Sequence, residues 1–241
     1  MQKIMFEQKR FGLEQAVISG IKKMTRRLAK LPAGVNPDDV TNVVMGIDEK
    51  GRVYFTLTAQ GTTFYLYPKY QIGEEVAVAQ SYKDAGVSVD NIVGSIHEGQ
   101  NMYTLISARE TKGWNNKMFV RADLMPYSIC IKEIKFERLQ DISEEDCRRE
   151  GIIPVQWKQW LKQDINDFSP QKYKLWNLWT LPKFKESIID SWAESDPDEF
   201  MAESPQVAFT ALIYKMMSEK VWNDNPWVFA YTFELCDHPS P

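Results

Sequence analysis

Residues 10–30 read RFGLEQAVISGIKKMTRRLAK and combine an apolar helical pattern with a run of cations. The first half predicts a short helix at about residues 11–19, because its apolar side chains fall on one helical face and Gly20 follows as a stop. The cations of the second half are Lys22, Lys23, Arg26, Arg27 and Lys30. This is the densest cationic stretch of a chain with a net charge of −4, since no acidic residue lies between Glu14 and Asp38.

Strand patterns follow this stretch along the chain. Residues 42–82 contain three or four strand signals with a turn sequence at residues 48–51, which predicts a meander or a barrel. Residues 118–138 resume the strand pattern and are interrupted at Pro126. Within them the apolar positions change phase near Lys132, and this change predicts a bulge or a bend.

The C-terminal part of the chain predicts two helices and one long strand. A Ser-x-x-Asp arrangement starting at Ser143 predicts a short helix that ends near Glu150, because Gly151 follows as a stop. Residues 205–218 begin with proline and repeat apolar residues every three or four positions, which predicts a helix. Residues 225–235 alternate aromatic and apolar residues on one face, and we expect that face to be buried.

Composition places the chain among ordinary globular proteins and excludes several classes of function. Hydrophobic residues make up 44% and charged residues 26% of 241 residues, so disorder and disulfide scaffolds are excluded. The only histidines are His97 and His238, and the sequence has no CxxC, Walker or GxGxxG motif. We therefore expect no metal, no cofactor and no His-based catalytic triad.

The cysteines and the hydropathy pattern bear on the compartment. Cys130, Cys147 and Cys236 are widely spaced and odd in number, and we interpret all three as buried small apolar side chains. The N-terminal residues lack the apolar stretch of a signal peptide, and no window approaches the ~18 apolar residues of a membrane span. These patterns predict a cytoplasmic protein that is not inserted in a bilayer.

Residues 155–204 contain five of the eight tryptophans, interleaved with lysines. One interpretation is a helical insertion that packs its tryptophans into a satellite core. A second is a platform that stacks bases and contacts phosphates. A third is a contact site for a protein partner.

The order of these elements resembles the ASCH family, a branch of the PUA-like fold, and is most similar to long ASCH proteins encoded by phages and prophages. The segments that carry the resemblance are residues 10–11, 19–27, 73–78, 125–126, 139–151 and 225–228. It implies an α+β protein built on a small, strongly bent mixed β-barrel flanked by short helices. It also implies one domain over residues 1–241, with insertions at about 31–63, 83–115 and 153–204, the last of them Trp-rich and mainly helical.

The resemblance also implies a function and a site. Family members are proposed to bind RNA or modified nucleosides, and a subgroup resembles amidohydrolases that remove the acyl group from N-acetylcytidine. Carried over by position, the catalytic residues of that subgroup correspond to Lys22, Thr25 and Glu150. This chain departs from the subgroup by having Lys23 in place of a threonine, by reading Gly-Glu-Glu at residues 73–75, and by being more than twice as long.

Amide hydrolysis needs a base, a nucleophile and donors for the developing oxyanion. Lys22 would act as the base if burial and neighbouring cations lower its pKa. It would deprotonate Thr25 or a water, while Glu150 would pass the proton to the leaving amine and Arg26 or backbone amides would hold the oxyanion.

The alternatives to catalysis use the same residues. In a binding module without chemistry, Lys23, Arg26 and Arg27 would line a cleft with Lys22 for a phosphate or a flipped base. In a purely structural interpretation, Thr25 merely begins a strand and Glu150 pairs with an arginine of its own helix.

Overall fold

The computed structural model describes residues 1–88, 91–92, 112–160, 173–185 and 201–236. The strands of this part are β1 Gln2–Ile4, β2 Met24–Leu28, β3 Val40–Ile47, β4 Val53–Ala59, β5 Thr62–Leu66, β6 Glu75–Val78, β7 Ser128–Arg138, β8 Ile153–Trp160, β9 Tyr173–Thr180 and β10 Trp227–Leu235. The α-helices described over their whole length are α1 Leu13–Ile18, α2 Glu144–Arg149, α3 Pro205–Met216 and α4 Glu219–Asn223, and residues 91–92 and 182–185 are also helical. His97, His238, Trp192 and most of the predicted insertion at 83–115 lie outside the described residues.

The largest sheet is mixed and has the strand order β1-β6-β7-β10-β2. β1 and β6 pair in parallel, whereas the other neighbours are antiparallel. Together with the helices, this sheet confirms an α+β protein. Strand β2, which contains Arg26 and Arg27 of the cationic run, lies at one edge of the sheet and pairs only with β10.

The predicted irregularity near Lys132 is confirmed as a β-bulge. Thr232 of β10 lies opposite Glu133, but the next residue, Phe233, lies opposite Ile131. Lys132 is therefore the extra residue of β7, and the apolar side chains on both sides of it reach the core. On β10 the predicted buried face is confirmed at its centre, where Phe229, Tyr231 and Phe233 are buried.

Strands β3, β4 and β5 form a separate three-stranded antiparallel meander. Alternate residues of β4 are buried, and the ring of Phe55 lies 5.7 Å from Phe136 and 5.8 Å from Phe229 of the large sheet. The meander therefore packs its apolar face on the large sheet, as period-two alternation predicts. The fourth strand signal of residues 42–82 became β6, which belongs to the large sheet.

The three helices predicted from local signals are confirmed. The hydroxyl of Ser143 accepts a hydrogen bond from the Asp146 amide at 3.1 Å and caps α2. The hydroxyl of Ser204 caps α3, which begins with Pro205. These N-terminal caps fix where α2 and α3 begin, and the two helices pack against each other.

Three expectations are corrected by the structure. The described part of the Trp-rich segment is not mainly helical, because Ile153–Trp160 and Tyr173–Thr180 pair as an antiparallel hairpin. The described strands form three separate sheets and no closed barrel. Cys130 and Cys236 are not free apolar side chains, since they form a disulfide with Cα atoms 5.5 Å apart, whereas Cys147 is a buried free thiol.

None of the helices in the described part of the chain has the length and apolar character required to cross a bilayer.

Candidate functional site

The cationic run and the end of α2 are joined by backbone hydrogen bonds. The amide of Lys23 donates to the carbonyl of Arg149 at 2.7 Å, and the amide of Lys22 donates to the carbonyl of Ala16 at 2.8 Å. These bonds hold the start of β2 between α1 and α2. They bring Lys22 next to Glu150, which lies 128 positions later in the chain.

Lys22 and Glu150 form a buried ion pair. The Lys22 ammonium donates to the Glu150 carboxylate and also to the Glu150 backbone carbonyl, the latter at 2.8 Å. The side chains are 2% and 5% exposed. Gly151, which follows Glu150, has a φ of +104°, a backbone conformation that favours glycine over residues with a side chain.

Arg26 uses all five of its N–H donors within the protein. Its Nε and Nη2 both donate to Glu137, at 3.2 and 2.6 Å, and Nη2 also donates to Asp146 at 3.1 Å. Its Nη1 donates to the second Glu150 oxygen at 3.1 Å and to the Met24 sulfur at 3.3 Å. Arg26 therefore orients the Glu150 carboxylate and keeps no donor for a ligand.

The charges of this buried network balance. Lys135, whose side chain is 37% exposed, donates to Asp146 at 3.2 Å, so the hydrogen-bonded network consists of three cations and three carboxylates, with Arg149 at its edge 4.0 Å from Asp146. Its members are Lys22, Arg26, Lys135, Glu137, Asp146 and Glu150. A balanced set is what allows charged groups to be buried at all, because an unpaired buried charge is strongly unfavourable.

The two remaining cations of the predicted site differ in position. Lys23 is exposed and does not line the cleft described below. Arg27 lines that cleft, and it forms no ion pair with a described carboxylate. Its Nη2 donates to the Met5 carbonyl at 2.6 Å, its Nε is buried with no hydrogen-bond partner among the described residues, and its guanidinium lies 5.5 Å from the Phe6 ring.

A cleft of about 90 Å³ brings the predicted catalytic residues together. Lys22, Thr25 and Glu150 all line it, and the Thr25 hydroxyl forms no hydrogen bond with another described residue. The opposite wall is the apolar face of α3 and its end: Phe209, Leu212, Ile213, Met216 and Met217. Since one water occupies about 10–15 Å³ of such volume, the cleft admits a small group rather than a whole nucleoside.

Burial lowers the pKa of the Lys22 ammonium from its ordinary value of 10.5. The charge of Glu150 and its hydrogen bond oppose this effect, whereas Arg27 and Arg26 add to the lowering. The neutral amine is therefore more accessible than in a free lysine, as the chemistry of a general base requires.

This lowered pKa predicts a pH dependence of stability. Between the folded-state pKa of Lys22 and 10.5, the unfolded chain binds a proton that the folded chain lacks. We therefore expect the free energy of unfolding of the wild type, relative to Lys22→Met, to rise with pH in this window, with a slope of up to about 1.4 kcal/mol per pH unit.

The measurement is urea unfolding of both proteins at several pH values from 7 to 10.5. The methionine keeps the length of the side chain without its charge, and Arg26 still pairs with Glu150. A difference between the two proteins that stays constant or falls with rising pH would contradict the lowered pKa.

Other nearby groups are poor candidates for the nucleophile or the base. Burial raises the pKa of the Cys147 thiol and of the Tyr231 phenol, each to about 12. Both stay protonated at neutral pH. The described residues also contain no group of three or more acidic, histidine or cysteine side chains arranged to hold a metal ion.

Sequence reasoning missed the supports of this site. Asp146 was recognised as a helix-capping position, but its side chain also holds Arg26. Lys135 and Glu137 lie two positions apart on β7, on the same face of the strand, and both join the network, which no local pattern indicates. The apolar wall of α3 was predicted as a helix face but not as part of a site.

Comparisons with protein families, with curated proteins and with solved structures found no match for this chain.

Proposed function

We propose that this protein binds RNA or a modified nucleoside at the cleft and hydrolyses an N-acyl group on a cytidine-like base. The observation that carries the proposal is the buried Lys22–Glu150 pair in the same cleft as the Thr25 hydroxyl. A desolvated amine beside a hydroxyl and a carboxylate is a general-base arrangement. The resemblance to long phage-type ASCH proteins and to the PUA-like fold supports the same function and remains part of the proposal.

The proposed reaction adds water across the bond between the acyl carbon and the exocyclic nitrogen. The neutral Lys22 amine takes a proton from the attacking oxygen, which belongs to Thr25 or to a water. That oxygen bonds to the acyl carbon, and the carbon–nitrogen bond breaks. Lys22 passes the proton to Glu150, which delivers it to the departing amine. If Thr25 was the nucleophile, one water then hydrolyses the acyl-threonine ester, which releases the acid and restores the hydroxyl.

The oxyanion of this reaction needs a donor that is not already in use. Arg26 has none, so its role is to position Glu150. The buried Nε of Arg27 has no partner among the described residues and belongs to the one cationic side chain of the cleft outside the balanced network. We assign the oxyanion contact to Arg27.

The size and lining of the cleft fit the acyl end of such a substrate. A volume of about 90 Å³ admits a small acyl group, and the wall of α3 offers apolar contacts to its methyl carbon. The base itself then lies towards the mouth of the cleft.

The test is incubation of the purified protein with N4-acetylcytidine and measurement of released cytidine and acetate. We expect turnover by the wild type and a fall in rate of about 10²–10⁴-fold in Lys22→Met, the usual contribution of general-base catalysis. The matched control is Lys23→Met, which removes an adjacent lysine that is exposed and lies outside the cleft. Unchanged turnover in Lys22→Met, or no turnover by the wild type, would refute the hydrolase.

A second candidate function is binding without chemistry. The observation in its favour is that both Glu150 oxygens are already bonded to Lys22 and Arg26, which is a stable resting arrangement. In that case at least one nucleoside of a tested panel raises the melting temperature of the protein while no product forms. The Arg27→Met substitution abolishes this rise.

The proposal places the protein in the cytoplasm. The Cys130–Cys236 disulfide is the observation against a strongly reducing compartment, because such bonds are rare there.

A further inference from the structure

A second and larger cavity of about 790 Å³ adjoins the small cleft. It lies between β1, the end of β2 with the following loop, and β5 with the residues after it. Met5 and Arg27 line both cavities, so the two are neighbours. Sites for small molecules usually measure about 300–1,000 Å³, a range that the larger cavity meets and the small cleft does not.

The larger cavity is lined by cations and by no acidic residue. The cations are Lys3, Arg27, Lys30 and Lys69. The whole chain carries a net charge of −4, so this concentration of positive charge is local. A concave surface lined by one sign of charge attracts ligands of the opposite sign.

The cations differ in their freedom to bind a ligand. The Lys3 ammonium donates to the carbonyls of Met118 and Val120, at 2.7 and 2.6 Å, and contributes only its charge. Lys30 is exposed and forms no hydrogen bond or ion pair with another described residue. Lys69 is also exposed, with its ammonium 5.0 Å from the Tyr70 ring centre. Lys30 and Lys69 can therefore contact an anion at the mouth of the cavity.

Exposed aromatic rings line the same cavity. Tyr65 is 63% exposed and Tyr67 is 46% exposed. The ring centre of Tyr54 lies 5.6 Å from that of Tyr65 and 5.9 Å from that of Tyr67, so Tyr54 packs against both exposed rings. Exposed rings beside free cations are the combination that binds single-stranded nucleic acids, where bases stack and phosphates pair with cations.

We propose that the larger cavity binds a short single-stranded nucleic acid, with its phosphates on Lys30 and Lys69 and a base on Tyr65 or Tyr67. This inference rests on the proposed function, because the strand would deliver its modified base to the adjoining cleft past Arg27. The preferred substrate is then a base within an oligonucleotide, and a free nucleoside fills only part of the site.

The test uses an eight-nucleotide RNA with a fluorescent label and no acetylated base, so that affinity reports the strand alone. We expect Lys30→Ala/Lys69→Ala to weaken binding and to reduce the slope of log affinity against log salt by about 1.4, which corresponds to two lost phosphate contacts. Tyr65→Ala/Tyr67→Ala should weaken binding by about 5- to 150-fold per stacked base. All four residues are exposed and none belongs to the buried core, although Tyr65, Tyr67 and Lys69 each contact a neighbouring side chain.

The matched control is Lys50→Ala/Lys220→Ala, which removes the same charge from exposed positions outside the cavity. A single-stranded DNA of the same sequence separates the two sources of phosphate: tighter binding of RNA indicates contacts to the 2′-hydroxyl. Equal losses in the control and in the lysine variant would overturn the inference.

Failure of this inference and failure of the proposed function give different results. In one result, the wild type hydrolyses free acetylcytidine but binds the RNA no better than the nucleoside. That result refutes nucleic-acid binding at the larger cavity and leaves the hydrolase standing. If the wild type binds the RNA, the variants of the larger cavity do not, and no acylated nucleoside or oligonucleotide is hydrolysed, nucleic-acid binding at the larger cavity stands and the hydrolase is refuted.

Discussion

Glu150→Ala is expected to lower the free energy of unfolding by about 3–5 kcal/mol, the usual cost of removing one partner from a buried ion pair. The substitution leaves the Lys22 ammonium with only a backbone carbonyl as its partner. It also removes the acceptor of one Arg26 donor inside the same network. The measurement is urea unfolding at pH 7, where the change appears as a lower transition midpoint.

The control for this substitution is Glu145→Ala on the outer face of the same helix. Its carboxylate pairs with Arg148 and Arg149 at 3.5 and 3.3 Å, and its side chain is 59% exposed. Exposed pairs of this kind contribute about 0–1 kcal/mol, so we expect a small change. Equal effects of the two substitutions would mean that the Lys22–Glu150 pair does not form in solution.

A double variant separates the energy of the Lys22–Glu150 attraction from the cost of leaving a buried charge unpaired. Lys22→Met/Glu150→Ala removes both members of the pair, so no unpaired ammonium stays buried. We expect it to be more stable than Glu150→Ala alone, because most of the penalty comes from the uncompensated charge. A double variant that is less stable than either single variant would contradict this explanation.

Features set by neighbouring residues were predictable from the sequence. The cap at Ser143, the proline start of α3 and the phase change at Lys132 each depend on a few consecutive positions, and all three are confirmed. The position of Lys22 next to Glu150 was predicted only through the resemblance, because it depends on contacts 128 positions apart.

The hairpin of β8 and β9 was missed although β8 carries a signal. In IPVQWKQW the residues at 153, 155 and 157 are apolar and alternate with proline and polar residues, which is the period of a half-buried strand. Reading the segment by its tryptophan and lysine content concealed this alternation.

The disulfide and the larger cavity depend on register, which local patterns leave open. Cys130 pairs with Cys236 because the β7–β10 ladder, shifted by its bulge, places Glu234 opposite Cys130. The cavity depends on where the meander packs relative to the end of β2. Both follow from long-range packing rather than from propensity.

Phe209→Ala is expected to lower the free energy of unfolding by about 3–5 kcal/mol, as large-to-small substitutions of buried phenylalanine do. Phe209 is 1% exposed and is among the largest fully buried side chains. Its ring packs 6.4 Å from the Trp222 ring and 5.9 Å from the Arg26 guanidinium, so it joins the core to the wall of the cleft. Thermal and urea unfolding both report the loss.

The control is Tyr214→Ala on the same helix, because that side chain is 38% exposed and its removal leaves no internal cavity. The two variants also make opposite predictions for Lys22, whose pKa is lowered chiefly by burial. Removing the Phe209 ring admits water to the cleft. The rise of stability with pH below 10.5, measured relative to Lys22→Met in the same background, should therefore shrink in Phe209→Ala and persist in Tyr214→Ala. If the rise is unchanged in Phe209→Ala, the apolar wall of α3 does not exclude water from the Lys22 ammonium. The desolvation on which the proposed base depends must then come from α1 and β2.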